Sequence, residues 1–215
     1  MSTQYVVHGA KGSGSVMVEA ALTLLDLPYR VVESSILTDE AGDPALAAIN
    51  PMRQVPALVL PGGEVMTESA AILIWLADDH PEARLSPTMA SAARPAFLRW
   101  MAFASAIYAL YWVRDDPKRV IEGPAAAHRE VKARLNARIA ECWGIMDHQI
   151  DPAHYLLSND LSVLDLYVTV MSRWAPGRKR FDEFAPKMAR IVRRVDADPR
   201  LAALWAERMP LEQAG

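Results

Sequence analysis

Cysteine is almost absent from this sequence, since Cys142 is its only one in 215 residues. A single cysteine excludes an intramolecular disulfide and any Cys-x-x-Cys redox or zinc motif. No metal site is predicted. Any thiol chemistry at this protein therefore requires a thiol supplied from outside.

A strong charge and a long hydrophobic run are absent as well. The formal net charge of −3 provides no broad positive field, so neither nucleic acid nor an anionic membrane is predicted as the main partner. The longest uncharged stretch, Trp100 to Val113, is shorter than the roughly 20 apolar residues that a spanning helix needs. Lys11 and Glu19 interrupt the region where the apolar core of a signal peptide would lie, so we expect a cytoplasmic protein.

The composition that is present is that of an ordinary globular protein. Apolar residues make up 52% of the chain and charged residues 23%, which is far from the composition of disordered segments. The length allows one large domain or two small ones, each with its own apolar core.

Residues 1–81 carry alternating strand and helix signals. Turn residues and apolar spacing predict strands at Gln4–Gly9, Tyr29–Val32, Ala57–Leu60 and Glu64–Met66, and helices from Ser15 to Leu25, from Asp43 to Ile49 and from Ser69 to His80. The order β-α-β-α-β-β-α is that of a thioredoxin-like domain.

Residues 82–87 resemble a linker, and residues 88–215 carry only helical signals. Helices are predicted at Ala92–Arg114, along the apolar stripe from Val131 to Ile150 that includes Cys142, and at Val163–Arg173, Pro186–Arg194 and Leu201–Met209. The basic run Arg178-Lys179-Arg180 is interpreted as a solvated loop, with an anion site as the alternative.

Val55-Pro56 ends a predicted loop and precedes a strand. A cis proline at this place would expose the backbone N–H and C=O of Val55 to an extended, peptide-like ligand. The alternative is an ordinary trans proline at a strand entry, since only about 5–6% of X-Pro bonds in folded proteins are cis.

Glu68 and Ser69 occupy the first turn of a predicted helix, where backbone N–H groups and the positive end of the helix dipole attract an anion. The carboxylate of an α-amino acid would meet Ser69 there, and its ammonium group would meet Glu68. The alternative is a plain helix cap.

A structural capping box is predicted at Ser162 and Asp165, in which Asp replaces the usual Glu or Gln.

Three segments together resemble signatures of the cytosolic glutathione transferases, including bacterial types: Asn50 to Leu58, Thr67 to Ile72, and Leu161 to Leu166. They occur in the family's order and at about its separations, and the resemblance extends over almost the whole chain. It implies the glutathione transferase fold, an α/β thioredoxin-like N-terminal domain followed by an all-α C-terminal domain.

The resemblance also implies how glutathione binds as a co-substrate. Val55, before a cis Pro56, pairs through its backbone with the cysteinyl part, while Glu68 and Ser69 hold the γ-glutamyl end. Gln54 is the candidate for the glycyl carboxylate. The implied assembly is a homodimer.

The bound thiol has to be stabilised as a thiolate, and each unit of pKa depression requires about 1.36 kcal/mol. A hydroxyl hydrogen bond and a helix N-terminus supply about one to two units. Several classes of the family place a tyrosine after the first strand and others use a cysteine in the following loop, but this sequence has no tyrosine there and no cysteine from Lys11 to Ser15. The resemblance therefore implies a serine-type site, with Ser15 slightly ahead of Ser13. The alternatives are an N-cap role for Ser15 and activation by backbone amides alone.

The predicted function is a glutathione transferase that adds the activated thiol to small hydrophobic electrophiles. Tyr108, Tyr111 and Trp112 are the candidates for the electrophile pocket, although aromatic residues at helical spacing also fill cores. The alternatives are a glutathione-dependent isomerase of the maleylacetoacetate type and a non-catalytic glutathione-binding or scaffold member of the fold. The isomerase would need an extra basic pocket, for which the sequence shows no signal.

Overall fold

The computed structural model describes residues 4–34 and 44–211. The N-terminal part, here called the head, contains strands β1 (Tyr5–Gly9), β2 (Tyr29–Glu33), β3 (Ala57–Val59) and β4 (Val65–Met66), and helices α1 (Ser15–Leu24), α2 (Pro44–Ile49) and α3 (Ser69–Asp79). The predicted order of elements is confirmed. The predicted start of the second helix at Asp43 lies outside the described residues.

The four strands form one mixed sheet in the order β2-β1-β3-β4. β1 runs parallel to β2, with Val7 opposite Val31, and antiparallel to β3, with Val7 opposite Leu58. β4 is the predicted edge strand and returns antiparallel to β3. The turn between them places Gly63 at φ +95°, a conformation that glycine adopts without a steric penalty.

Among its described residues the chain after the head contains helices and loops but no strand, and it is here called the body. Its helices are α4 (Arg94–Asp115), α5 (Ala125–Gln149), α6 (Val163–Met171), α7 (Arg178–Phe184), α8 (Pro186–Asp196) and α9 (Ala202–Arg208). Short 3-10 turns lie at Pro81–Ala83, Pro117–Arg119 and Pro199–Leu201. The chain therefore has the predicted fold class, a thioredoxin-like head followed by an all-α body.

Head and body share one apolar core. α1 packs against both α3 and α6, and α3 packs against α4. By length and composition alone α4 could span a membrane, although the core helix of a soluble protein passes the same test. Its side chains Phe97, Met101, Ala104 and Ile107 recur at helical spacing and are buried in the shared core.

The interpretation of Arg178-Lys179-Arg180 as a solvated loop is wrong in its secondary structure, because these residues form the first turn of α7, whereas the exposure of Lys179 and Arg180 agrees with it. The Arg178 guanidinium lies 3.0 Å from the Asp196 carboxylate at the end of α8, and Phe181 buries its ring one turn later. An ion pair to the C-terminal end of the next helix therefore offsets the cost of burying the Arg178 charge.

Cys142 lies in the apolar stripe of α5, as predicted, and its side chain is buried. Burial raises the pKa of the thiol above its usual value. A buried thiol that resists ionisation behaves as a small apolar side chain.

Candidate functional site

A cleft of about 170 Å³ lies between the head and the body. It is lined by Asn50, Gln54, Val55, Pro56, Glu68, Ser69, Ser105, Tyr108, Ala109, Trp112 and Tyr167. The cleft brings together all five residues that are predicted to hold glutathione. It also contains two of the three aromatic residues that are predicted to contact the electrophile.

The loop before β3 forms one wall of the cleft. The Val55-Pro56 peptide bond is cis, as the resemblance implied. Asn50 shapes the loop because its side-chain amide donates to the Gln54 carbonyl oxygen at 2.9 Å and accepts from the backbone N–H of Met52 at 3.1 Å. This bonding fixes the backbone that carries Gln54 and Val55.

Ser69 begins α3 and Glu68 precedes it with φ +64°, a backbone conformation that residues other than glycine seldom adopt. No side chain caps the start of α3, so the alternative of a plain helix cap is wrong. The Ser69 hydroxyl instead lies 2.8 Å from the Tyr167 hydroxyl of α6. Uncapped N–H groups at a helix start remain available to an anionic ligand group.

Tyr167 is a member of the cleft that the sequence analysis missed. Its ring is fully buried, and its hydroxyl bonds to both Ser69 and Ser105. Burial raises the pKa of Tyr167 to about 12, against the two serine hydrogen bonds, which lower it. The hydroxyl therefore stays protonated at neutral pH and fixes the position of Ser69 from the body side.

The predicted capping box positions the helix that carries Tyr167. The Asp165 carboxylate accepts from the Ser162 backbone N–H at 2.9 Å, from the Ser162 hydroxyl at 2.6 Å and from the Leu156 backbone N–H at 2.8 Å. Burial raises the pKa of Asp165 to about 6, despite these hydrogen bonds. Neither Ser162 nor Asp165 lines the cleft, and both bonds of the predicted capping box are present at the start of α6.

The three aromatic candidates for the electrophile pocket lie in two different places in the structure. Tyr108 and Trp112 line the cleft, but Tyr111 is buried behind it and accepts a hydrogen bond from the Trp143 indole at 3.3 Å. Tyr111 lines a second cleft of about 640 Å³ within the body. Tyr108 and Trp112 are four residues apart and share one face of α4, whereas Tyr111 is rotated by about 100° from Trp112 and its hydroxyl reaches Trp143 of α5.

Ser13 and Ser15 do not line the cleft, and both hydroxyls are buried with partners. Ser13 donates to the Ala10 carbonyl oxygen at 2.7 Å, and Ser15 donates to the Glu19 carboxylate at 2.9 Å. The proposed N-cap role for Ser15 is wrong, since Gly14 occupies the N-cap of α1 and no side chain caps that helix. The Ser15 hydroxyl is turned toward the next helical turn instead.

Two residues of the body, Trp174 through its side chain and Arg208 through its backbone, hold the loop between β1 and α1, and we call them the C-terminal clamp. The Trp174 indole N–H donates to the Gly12 carbonyl oxygen at 2.7 Å, and the Gly12 N–H donates to the Arg208 carbonyl oxygen at 2.9 Å. The Arg208 guanidinium bonds to Glu19 at 2.7 Å and also to Glu33. The clamp therefore ties the head loop to the end of the body.

Among residues 4–34 and 44–211, no group of three or more His, Cys, Asp or Glu side chains could hold a metal ion. The polar side-chain groups that the described residues bring to the cleft are hydroxyls, amides, an indole N–H and one carboxylate. This set suits a ligand with peptide groups and charged ends rather than a metal ion.

Comparison with known proteins agrees with this geometry. Residues 15–79 match the family model described as the N-terminal domain of glutathione S-transferase. An uncharacterised protein of Escherichia coli K12 described as GST-like, YncG, is 31% identical over 205 residues, which cover 91% of this chain and 94% of the relative. The glutathione S-transferase GstA of Escherichia coli O157:H7 is 26% identical over 161 residues, which cover 73% and 76%.

Solved structures extend the match to nearly the whole chain. A glutathione transferase homologue from Sulfitobacter, solved with bound glutathione, superposes with a TM-score of 0.86 at 25% identity, and the match covers 97% of this chain and all of that one. The sequence match to YncG covers both the head and the body. The chain therefore belongs to the glutathione S-transferase family.

Proposed function

We propose that this protein is a glutathione S-transferase that binds glutathione in the cleft and activates its thiol for attack on small hydrophobic electrophiles. One observation carries the proposal: Gln54, Val55 and Pro56 from one loop and Glu68 and Ser69 from the start of α3 line a single cleft. A Sulfitobacter relative of the same fold was solved with glutathione bound.

Glutathione would lie along the loop before β3 as an added extended segment. Val55 would pair with its cysteinyl backbone, and Gln54 would meet the glycyl carboxylate. The γ-glutamyl carboxylate would accept hydrogen bonds from Ser69 and the N–H groups that begin α3. Tyr167 supports this geometry, because its hydroxyl lies 2.8 Å from that of Ser69 and holds the serine on the cleft wall.

The thiol would lose its proton to solvent before it reacts. The electron pair of the thiolate sulfur then forms a C–S bond with the electrophilic carbon, and a leaving group such as chloride departs with its bonding pair. Tyr108 and Trp112 place aromatic surface beside this position, which suits an apolar substrate. Tyr111 is left out of the electrophile pocket because it faces the second cleft.

Two alternatives differ from this proposal in testable ways. The diacid isomerase would require cationic side chains, and no Lys or Arg among residues 4–34 and 44–211 lines the cleft. A non-catalytic glutathione-binding protein is favoured by one observation, the burial of both serine hydroxyls of the β1–α1 loop. That alternative predicts glutathione binding without depression of the thiol pKa and without turnover.

We further propose that the protein is a cytoplasmic homodimer with a head of residues 1–81, a linker of residues 82–87 and a body of residues 88–215. Large apolar side chains are exposed on both parts. Met52 and Val65 lie on the head, and Met89 and Leu98 lie near the start of the body. Burying them against a second copy would remove apolar surface from water.

The test compares Ser69→Ala with Ser158→Ala, whose hydroxyl bonds to Asp160 away from the cleft. Because a hydrogen bond to a charged group contributes about 1.5–3 kcal/mol, Ser69→Ala should weaken glutathione binding about 10- to 100-fold in calorimetry. Ser158→Ala should bind as the parent does. A folded Ser69→Ala protein with parental affinity would contradict this placement of glutathione.

The same titration and a chloronitrobenzene conjugation assay decide among the functions. The proposed transferase binds glutathione and releases chloride from the aromatic substrate. A parent protein that binds glutathione without turnover would support the non-catalytic alternative. A parent protein that fails to bind glutathione would refute the proposed function itself.

A further inference from the structure

We infer that Tyr108 of the body, rather than a serine of the β1–α1 loop, supplies the hydroxyl that donates a hydrogen bond to the sulfur of glutathione. The inference rests on the proposed function, because it assigns the group that stabilises the thiolate in that same cleft.

The first support for this inference is that Tyr108 of α4 lies against the start of α1. The Tyr108 hydroxyl lies 3.4 Å from the Val55 carbonyl oxygen on one side of the cleft. On the other side its ring covers Gly14, where an added Cβ atom would come within 2.5 Å of both the ring and the hydroxyl oxygen. The hydroxyl therefore lies between the cysteinyl-binding loop and the N-terminus of α1.

Gly14 makes this approach sterically feasible. Its φ of −65° and ψ of −12° are allowed for any residue, so the backbone conformation does not require glycine. Glycine is required because the Tyr108 ring occupies the space that a Cβ atom at position 14 would fill. The first turn of α1 also contains no acidic side chain, so the positive end of the helix dipole is not cancelled there.

The serine hydroxyls of the neighbouring loop have other partners. Ser15 is fully buried and donates to Glu19, which is itself paired with Arg208. Ser13 donates to the Ala10 carbonyl oxygen and lies 3.0 Å from the Ser15 oxygen. A sulfur contact by either serine would break a buried hydrogen bond. A contact between the Tyr108 hydroxyl and the sulfur would break only the long, 3.4 Å hydrogen bond to the Val55 carbonyl oxygen.

Glutathione binding would itself release the Tyr108 donor. Without ligand, Tyr108 donates to the Val55 carbonyl oxygen. In the proposed complex that oxygen accepts from the cysteinyl N–H of glutathione. The displaced hydroxyl then needs another acceptor, because a buried donor without a partner is unfavourable. The sulfur, attached to the same cysteinyl residue, is the acceptor within reach.

The surroundings keep Tyr108 protonated, as a donor must be. Burial raises its pKa well above 10, and Tyr167 of α6 adds to the effect, as do Glu68 before α3 and Asp115 at the end of α4. The Gly14 backbone hydrogen bond acts in the opposite direction and is outweighed. Within the part of the chain that the structure describes, no Lys or Arg lines the cleft to stabilise a thiolate in place of the Tyr108 hydroxyl.

The test measures two quantities for Tyr108→Phe and for a matched variant, Tyr111→Phe. Both changes remove one hydroxyl from α4, but the Tyr111 hydroxyl bonds to Trp143 outside the cleft. Calorimetry gives the affinity for glutathione, and ultraviolet absorbance against pH gives the pKa of the bound thiol. Tyr108→Phe should raise that pKa by about one to two units with little loss of affinity. Tyr111→Phe should have the same glutathione affinity and the same pKa of the bound thiol as the parent protein.

A second variant tests the same contact without altering the tyrosine. Gly14→Ala keeps an allowed backbone conformation but places a methyl group where Tyr108 lies, so it should displace the hydroxyl and raise the thiol pKa in the same direction. A parental thiol pKa in both folded variants, or a rise in Ser15→Ala alone, would overturn the assignment. If the parent binds no glutathione, the proposed function and the assignment fail together. If the parent protein binds glutathione and lowers the pKa of its thiol, the variants test only whether Tyr108 is the donor.

Discussion

Arg208→Met should destabilise the protein strongly, because it removes one member of a buried ion pair. Arg208 is 5% exposed and Glu19 is fully buried. Their atoms meet at 2.7 Å and 3.2 Å. Removing the guanidinium leaves the Glu19 carboxylate in the core with the Ser15 hydroxyl as its remaining hydrogen-bond donor among the described residues.

Breaking a buried pair in this way costs about 3–5 kcal/mol. For a chain of this length, each kcal/mol lowers the melting temperature by about 2–4 °C. Arg208→Met should therefore melt roughly 6–20 °C below the parent. Urea unfolding at neutral pH provides the free energy, and a thermal scan checks the shift.

Two further variants separate the buried charge from other effects of the substitution. Adding Glu19→Gln to Arg208→Met removes the stranded charge and should recover at least half of the lost stability. Arg134→Met breaks an exposed pair with Glu130 and should cause no measurable loss. The reasoning is refuted if Arg208→Met unfolds with the same midpoint as Arg134→Met, or if the double variant is as unstable as the single one.

Two other predictions concern buried groups outside the cleft. The pKa of Asp165 is about 6 in the folded protein, against an ordinary value of 3.8. Between these two pH values the native state therefore keeps a proton on Asp165 that the unfolded chain has released. Stability from this group is fully present below about pH 4 and falls by roughly 3 kcal/mol as pH rises to about 6. Asp165→Asn should abolish that slope in urea unfolding followed across this range. Cys142 should react slowly with a thiol-specific alkylating reagent in the native protein and rapidly in urea, and equal rates would disprove its burial.

The sequence predicted the head well because its signals are local. Pro28 and Pro81 follow helices α1 and α3, and the Pro61-Gly62-Gly63 turn joins β3 to β4. The two segments that are proposed to bind glutathione are also recognisable, since each has a fixed pattern of neighbouring residues. Their meeting in one cleft follows from the fold and is visible only in the structure.

The residues that the sequence analysis missed depend on distant partners. Tyr167 gave no signal because α6 is buried on every side, so no apolar face distinguishes one of its residues from another. Arg178 was interpreted as solvated because its partner Asp196 lies on another helix. The direction of the Ser15 hydroxyl depends on Glu19, whose charge is held by Arg208 from the opposite end of the chain.

The C-terminal clamp has a consequence for the order in which this protein becomes functional. Synthesis proceeds from the N-terminus, so the strands of the head exist before Trp174 and Arg208 have been made. Until those residues dock, nothing holds the Gly12 backbone or pairs with the Glu19 carboxylate from the body side. Ser105, Tyr108 and Tyr167 also reach the cleft only from later helices. A nascent chain therefore contains the segments proposed to bind glutathione before the helices that complete the cleft, and docking of α9 then holds the loop between β1 and α1.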